Sequence, residues 1–322
     1  MPDINSTIGH RSIGGIALTF GGNVFGWTLD RDKSFAVLDA FYEMGGRMID
    51  TAEGYSSFVP GNVGGESETI LGQWFDARGV RKDMLIGTKT GMGGPPFALK
   101  PEAVRKAFEG SLERLRTDYV DLYYAHRDDL TTPLDEVVSA YDELLQSGQA
   151  RELGASNYGA ERLAEIVGVA ERMGKTHYTV LQPKYNLIWR HEFEGALQDL
   201  CLAKQIAVMP YYGLASGFLS GKFRKSADWE GSTRAYALNE FAENGGWGML
   251  AVMDEIASET GATLAQIALA WLVRQPGVAA PLASATSVEQ LSNLVAGVTL
   301  QLEQGQLERL TAALPARTTA SA

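Results

Sequence analysis

The feature that most constrains this chain is a rhythm. Eight short apolar or β-branched runs are each followed by a loop and then by a stretch of helical periodicity. The runs are residues 14–20, 47–51, 84–89, 119–125, 151–156, 178–183, 206–211 and 278–284. Strands that alternate with helices pair in parallel, because each connection crosses back over the sheet. The clearest helix is PEAVRKAFEGSLERLR, residues 101–116, where Pro101 suits a first helical position and Val104, Phe108, Leu112 and Leu115 share one face. Residues 133–148 have similar spacing and stop at Gly148, and residues 287–297 open with Ser287 and Gln290 in capping-box spacing. An open doubly wound sheet would carry a G-x-G-x-x-G turn after its first strand, and none occurs here. At 322 residues the expectation is a closed, eight-fold parallel (β/α)8 TIM barrel, a single domain over 1–322.

One interval is too long for a single connection. Residues 212–277 hold more than one helix, and 221–247 lack a firm period, so a long mobile loop near the site is expected there. The last residues, 316–322, read as a frayed polar tail. A formal charge of −11, from 39 acids against 28 bases, argues against nucleic acid or an anionic membrane surface as a partner. The single cysteine, Cys201, excludes an internal disulfide and fits a reducing cytoplasm. No apolar run approaches the roughly 20 residues of a membrane span, and residues 1–12 lack the apolar core of a signal peptide.

Barrel chemistry sits where strands run into their loops. Polar or aromatic groups stand at those places: Asp50, Lys89, His126, Ser156 with Asn157, Gln182, Tyr211 and Ser284. Tyr55 follows Asp50 by five residues, in a Gly/Ser-rich turn. An acid, a lysine, a histidine and a tyrosine on one rim have few structural reasons to coexist. The other histidines, His10, His177 and His191, lie away from strand ends, and no metal-ligand spacing occurs.

The segments IDTAEGY, GTKTG, DLYYAH, GASN, LQPKYN and ATSVEQL, in that order, resemble the aldo-keto reductases from about residue 13 to about residue 314. The resemblance implies a barrel that reduces a small-molecule carbonyl, with a nicotinamide cofactor extended over its mouth. It makes Tyr55 the proton donor, Lys89 and Asp50 the groups that tune it, and His126 the group that positions substrate. A free phenol, with a pKa of about 10, is a weak acid at neutral pH, and a nearby ammonium lowers that value. A buried lysine in turn needs a counter-charge, which Asp50 supplies. By the same resemblance Ser156, Asn157 and Gln182 hold the nicotinamide carboxamide, and Tyr211 stacks on its ring. Gly213, Leu214, Ser216, Gly217 and Lys222 cover the pyrophosphate, and Ser284, Thr286, Gln290 and Asn293 take the adenosine end.

The resemblance implies NADP as the cofactor, and because residues 284–293 contain no arginine or lysine, NAD or dual use is left open. Phe25 and Trp27 are placed to wall a substrate pocket, and Arg127 to meet a polar or anionic substrate. Two other classes compete. The family also contains nucleotide-binding auxiliary subunits of membrane channels, with weak catalysis. A non-redox barrel lyase or hydrolase would have no use for the Ser156–Asn157–Gln182 group.

Overall fold

The structure is a computed structural model, described here for residues 7–92, 99–232 and 235–314. The chain begins with a small antiparallel hairpin, β1 (Thr7–Ile8) and β2 (Arg11–Ser12). Eight parallel strands follow: β3 (Thr19–Gly21), β4 (Met48–Asp50), β5 (Leu85–Thr90), β6 (Leu122–Ala125), β7 (Leu153–Ser156), β8 (Val180–Gln182), β9 (Ala207–Val208) and β10 (Leu282–Ala283). Each lies on one of the eight predicted runs, with a one-residue overrun at the ends of β3 and β5, and all but β5 are shorter than their run. The sheet order is β10-β3-β4-β5-β6-β7-β8-β9. Its two edges meet through Val208 N–Gly277 O at 2.9 Å, Ala279 N–Val208 O at 2.8 Å and Leu282 N–Pro210 O at 2.8 Å. The sheet therefore closes into a (β/α)8 barrel.

Helices lie between and beyond the strands: α1 (Arg31–Glu43), α2 (Glu66–Arg78), α3 (Pro101–Leu115), α4 (Leu134–Gln146), α5 (Ala160–Met173) and α6 (Ala196–Ala203). After β9 come α7 (Ala235–Phe241), α8 (Trp247–Thr260) and α9 (Leu264–Leu272), and after β10 come α10 (Val288–Thr299) and α11 (Gln304–Ala313). The start of α3 is fixed by Pro101, and its end by Arg116, which turns into the left-handed region with φ 54°. At α10, Ser287 Oγ accepts from Gln290 N, yet the Gln290 side chain accepts from Thr286 N rather than closing the reciprocal box.

Strand alternation sorts side chains into two sets. Ile49, Ile86, Tyr123, Leu153, Leu181 and Val208 pack outward into the layer between sheet and helices. Met48, Leu122, Tyr124, Val180, Met209 and Leu282 fill the interior, joined by Ile8 and Ile13 from around the hairpin. The large Tyr124 ring fits because its neighbour in β7 is Gly154, where a Cβ would stand 2.4 Å from Tyr124 Cδ1. The next inward positions on the neighbouring strands are Asp50, Lys89, Ser156 and Gln182, all buried.

One sequence expectation changes. Residues 221–247 are not one long loop: a 3-10 turn spans Ser226–Trp229, and α7 and a π turn lead into α8. Short turns of different pitch leave no common period to read. Trp229 and Trp247 stack at 5.7 Å and Phe218 lies 5.0 Å from Trp247, so the segment is packed from inside. Lys184 Nζ, 3.4 Å from the Trp189 ring centre and 3.4 Å from Glu240, ties α7 to the exit of β8. The expected polar tail, 316–322, lies outside the described residues. Among the described residues no helix is long and apolar enough to cross a membrane.

Candidate active site

The inward face of β4 and β5 delivers an acid and a lysine to one point. Lys89 Nζ donates to Asp50 Oδ2 at 2.5 Å, to the Thr51 carbonyl at 2.7 Å and to Tyr55 Oη at 2.8 Å. These three acceptors use all three ammonium protons. Tyr55 in turn donates to Asp50 Oδ2 at 3.2 Å. Lys89 and Asp50 are fully buried. The His126 ring meets Tyr55 edge-on with centres 5.9 Å apart, and its Nδ1 is buried without a hydrogen-bond partner.

Burial governs the proton affinities. It pushes the Tyr55 phenol well above its ordinary value, and the Asp50 charge pushes the same way. The net direction is opposite to the lowering expected from an adjacent ammonium. Burial also lowers Lys89, opposed by Asp50. His126 is held well below its usual range by burial, with Lys89 and Arg127 adding repulsion. The arrangement is thus a protonated phenol, a fully engaged ammonium and a neutral imidazole gathered at one end of the barrel.

A hydrogen-bonded chain continues across the mouth. Gln182 Nε2 donates to Asp50 Oδ1 at 2.8 Å, and Ser156 Oγ donates to Gln182 O at 2.9 Å. Asn157 Nδ2 donates to Ser156 Oγ and to His126 O, each at 3.0 Å, and Tyr211 Oη donates to Asn157 Oδ1 at 2.6 Å. Asn157 has φ 61°, a left-handed turn that aims its amide across the rim. Burial raises Tyr211 to about 12, and Arg127 lies close enough to pull it back. After Tyr211 the backbone is left-handed at Tyr212, Ala215, Ser216 and Gly217. Gly213 and Leu214 lie within this stretch, and a Cβ on Gly217 would stand 2.9 Å from Lys222 Cε.

The remaining predicted residues are distributed unevenly. Ser284 Oγ lies 2.8 Å from Gly21 O and 2.6 Å from Asn23 Oδ1, on the exit of β3. Thr286 and Gln290 pair at the start of α10, whereas Asn293 Oδ1 accepts from Thr263 and Gln266 on α9. Asn293 thus braces two helices. Phe25 does not wall an opening: it is fully buried and stacks on Phe20 at 5.5 Å. Trp27 remains at the surface, edge-on to Phe58 at 5.0 Å. Sequence reasoning missed Phe58. It also missed the Gln182–Asp50 contact, although both end inward-facing strands.

The family model for the Aldo/keto reductase family matches residues 17–315. A probable voltage-gated potassium channel subunit beta of Arabidopsis thaliana is 32% identical over 286 residues, 85% of this chain and 84% of the relative. Norsolorinic acid reductase of Emericella nidulans is 29% identical, over 92% of this chain and 76% of its own length. An aryl-alcohol dehydrogenase [NADP(+)] of Phanerodontia chrysosporium is 26% identical, over 89% of this chain and 77% of its own length.

Proposed function

This chain belongs to the aldo/keto reductase family, and from that premise we propose that it reduces an aldehyde or ketone to an alcohol, with Tyr55 as proton donor and NADPH as hydride source. The observation that carries this reading is the buried Asp50–Lys89–Tyr55 constellation beside His126. The reduced nicotinamide supplies a hydride when bound. Negative charge then develops on the carbonyl oxygen, and a positioned acid must meet it there. Burial keeps the proton on Tyr55 until that charge appears. As the phenol gives it up, Lys89 is already 2.8 Å from the oxygen and needs no reorganisation to stabilise it. Neutral His126, edge-on to Tyr55, would orient the carbonyl by donating a ring N–H.

Two observations fit a nicotinamide nucleotide at this mouth: the orphaned His126 Nδ1, and the left-handed backbone at 215–217 beneath Lys222. Ser156, Asn157 and Gln182 would hold the carboxamide and Tyr211 the ring, with Gly213, Leu214, Ser216, Gly217 and Lys222 on the pyrophosphate. Ser284, Thr286 and Gln290 would take the adenosine end. NADP is supported by the cofactor in the name of the aryl-alcohol dehydrogenase relative. An aryl carbonyl substrate is supported by the exposed Trp27–Phe58 pair and by the name of the aryl-alcohol dehydrogenase relative. A lone, buried Cys201 suits a reducing cytoplasm.

The test follows NADPH absorbance with 4-nitrobenzaldehyde in wild type and Tyr55→Phe. Turnover should fall by at least about 100-fold in the variant, while NADPH still quenches protein fluorescence. A wild type that oxidises no NADPH across a panel of aldehydes overturns the reading. A second reading, a nicotinamide-binding auxiliary subunit with weak catalysis, is favoured by the likeness to the channel subunit. Tight NADPH binding with negligible turnover would select it.

A further inference from the structure

We infer that Gln182 is a positioning residue for the acid–base centre, acting through Asp50, and not solely a holder of cofactor. This rests on the reductase reading above. Asp50 is fully buried and has two oxygens with different partners. Oδ2 receives Lys89 at 2.5 Å and Tyr55 at 3.2 Å, and Oδ1 receives Gln182 Nε2 at 2.8 Å. The contrast between the two Oδ2 distances is the point. Hydroxyl donors ordinarily approach oxygen to about 2.5–3.0 Å, so the Tyr55–Asp50 bond is long and weak while the Lys89–Asp50 bond is short.

A carboxylate free to turn about its Cβ–Cγ bond would close on Tyr55 and hold the phenolic proton more firmly. That proton is the one a carbonyl oxygen must receive, so a tighter Tyr55–Asp50 bond opposes the reaction. Gln182 prevents the turn. It is itself 3% exposed, and its backbone carbonyl accepts from Ser156 Oγ at 2.9 Å. The register of β7 on β8, Ser156 beside Gln182, fixes that anchor. The same chain runs on through Asn157 to Tyr211, so groups that meet a bound ring and groups that move a proton share one hydrogen-bonded frame.

The test compares wild type, Gln182→Met and Gln182→Glu. NADPH dissociation constants come from fluorescence, and kcat profiles from 4-nitrobenzaldehyde reduction across pH in H2O and D2O. The Tyr55 13Cζ resonance of the ligand-free proteins is assigned with Tyr55→Phe. In Gln182→Met, kcat should fall by about 10-fold or more, far more than NADPH affinity. Its basic limb should move to higher pH, its solvent isotope effect should grow and the Tyr55 resonance should shift. Gln182→Glu should recover activity as pH falls, because a protonated carboxyl can donate to Asp50 as the amide does. Loss of NADPH affinity by the same factor as kcat/KM overturns the inference if pH profile, isotope effect and Tyr55 resonance stay unchanged. So does a Gln182→Glu variant with no gain at low pH. A wild type without turnover overturns the reductase reading itself, which separates the two failures.

Discussion

At the scale of single residues the site is a problem of charge without water. Lys89 and Asp50 are both fully buried, and such a pair persists only when each proton and lone pair has a partner. Here every ammonium proton and both carboxylate oxygens have one: three acceptors surround Nζ, and three donors meet the two oxygens. His126 is the exception, with one buried nitrogen unpaired and a neutral ring. The folded state binds the His126 proton less readily than the unfolded chain, whose value is near 6.5. Its contribution is therefore complete above that pH and is lost as pH falls below it, with a slope of at most about 1.4 kcal/mol per unit. Urea unfolding at pH 5 and pH 7.5 should show wild type losing more stability on acidification than His126→Gln. Equal losses would mean another group titrates. The types and order of these residues were legible in the sequence because Asp50, Lys89 and His126 stand at or just past strand ends and Tyr55 follows in the turn after Asp50. The direction of the Tyr55 shift was not, because it depends on burial, which no spacing encodes.

At the scale of elements, legibility follows periodicity. The strands could be read because each lies in a short apolar or β-branched run, as strands buried on both faces do, and α3 because Pro101 and the Val104–Leu115 stripe agree. The stretch from Tyr212 to Gly217 could not, because Tyr212, Ala215 and Ser216 take left-handed backbone without being glycine. Residues 226–246 mix 3-10, α and π turns, and so carry no single period. The start of α10 yields a prediction of its own. Helix N-termini attract anions, but here Glu289 stands in the first turn and no basic residue accompanies it. If the 2′-phosphate of NADP docks there, Glu289→Lys, a change of two charges, should tighten NADPH by roughly 3- to 30-fold, at about 0.3–1 kcal/mol per charge near a helix end. NADH affinity should hardly move. Fluorescence titration with both reduced cofactors decides it, and an equal change for the two would place the phosphate elsewhere.

At the scale of the whole molecule, the barrel separates chemistry from support. The upper interior carries Asp50, Lys89, Ser156 and Gln182, while the lower interior is Met48, Leu122 and Val180. The hairpin β1–β2 brings Ile8 onto that lower layer, with Ile13 just beyond, both with almost no exposed surface. This plug was hardly legible beforehand, since two-residue strands around Gly9 and His10 are too short to alternate. Barrels in general place stability at this end and catalysis at the other. Ile8→Ala removes buried methyl groups where the surrounding strand starts are fixed by the closed sheet, so the cavity cannot easily collapse. A loss of about 2–5 kcal/mol is expected from a buried isoleucine, read as a lower urea midpoint with an unchanged m-value. The kcat for 4-nitrobenzaldehyde should stay at the wild-type level, because Tyr124 and Met209 lie between the plug and the Lys89 layer. Tyr55→Phe should give the reverse pattern, lost turnover with the midpoint little changed. An Ile8→Ala protein that kept its stability but lost kcat would mean that the floor sets the geometry of the mouth, and that the two ends of this barrel are not independent.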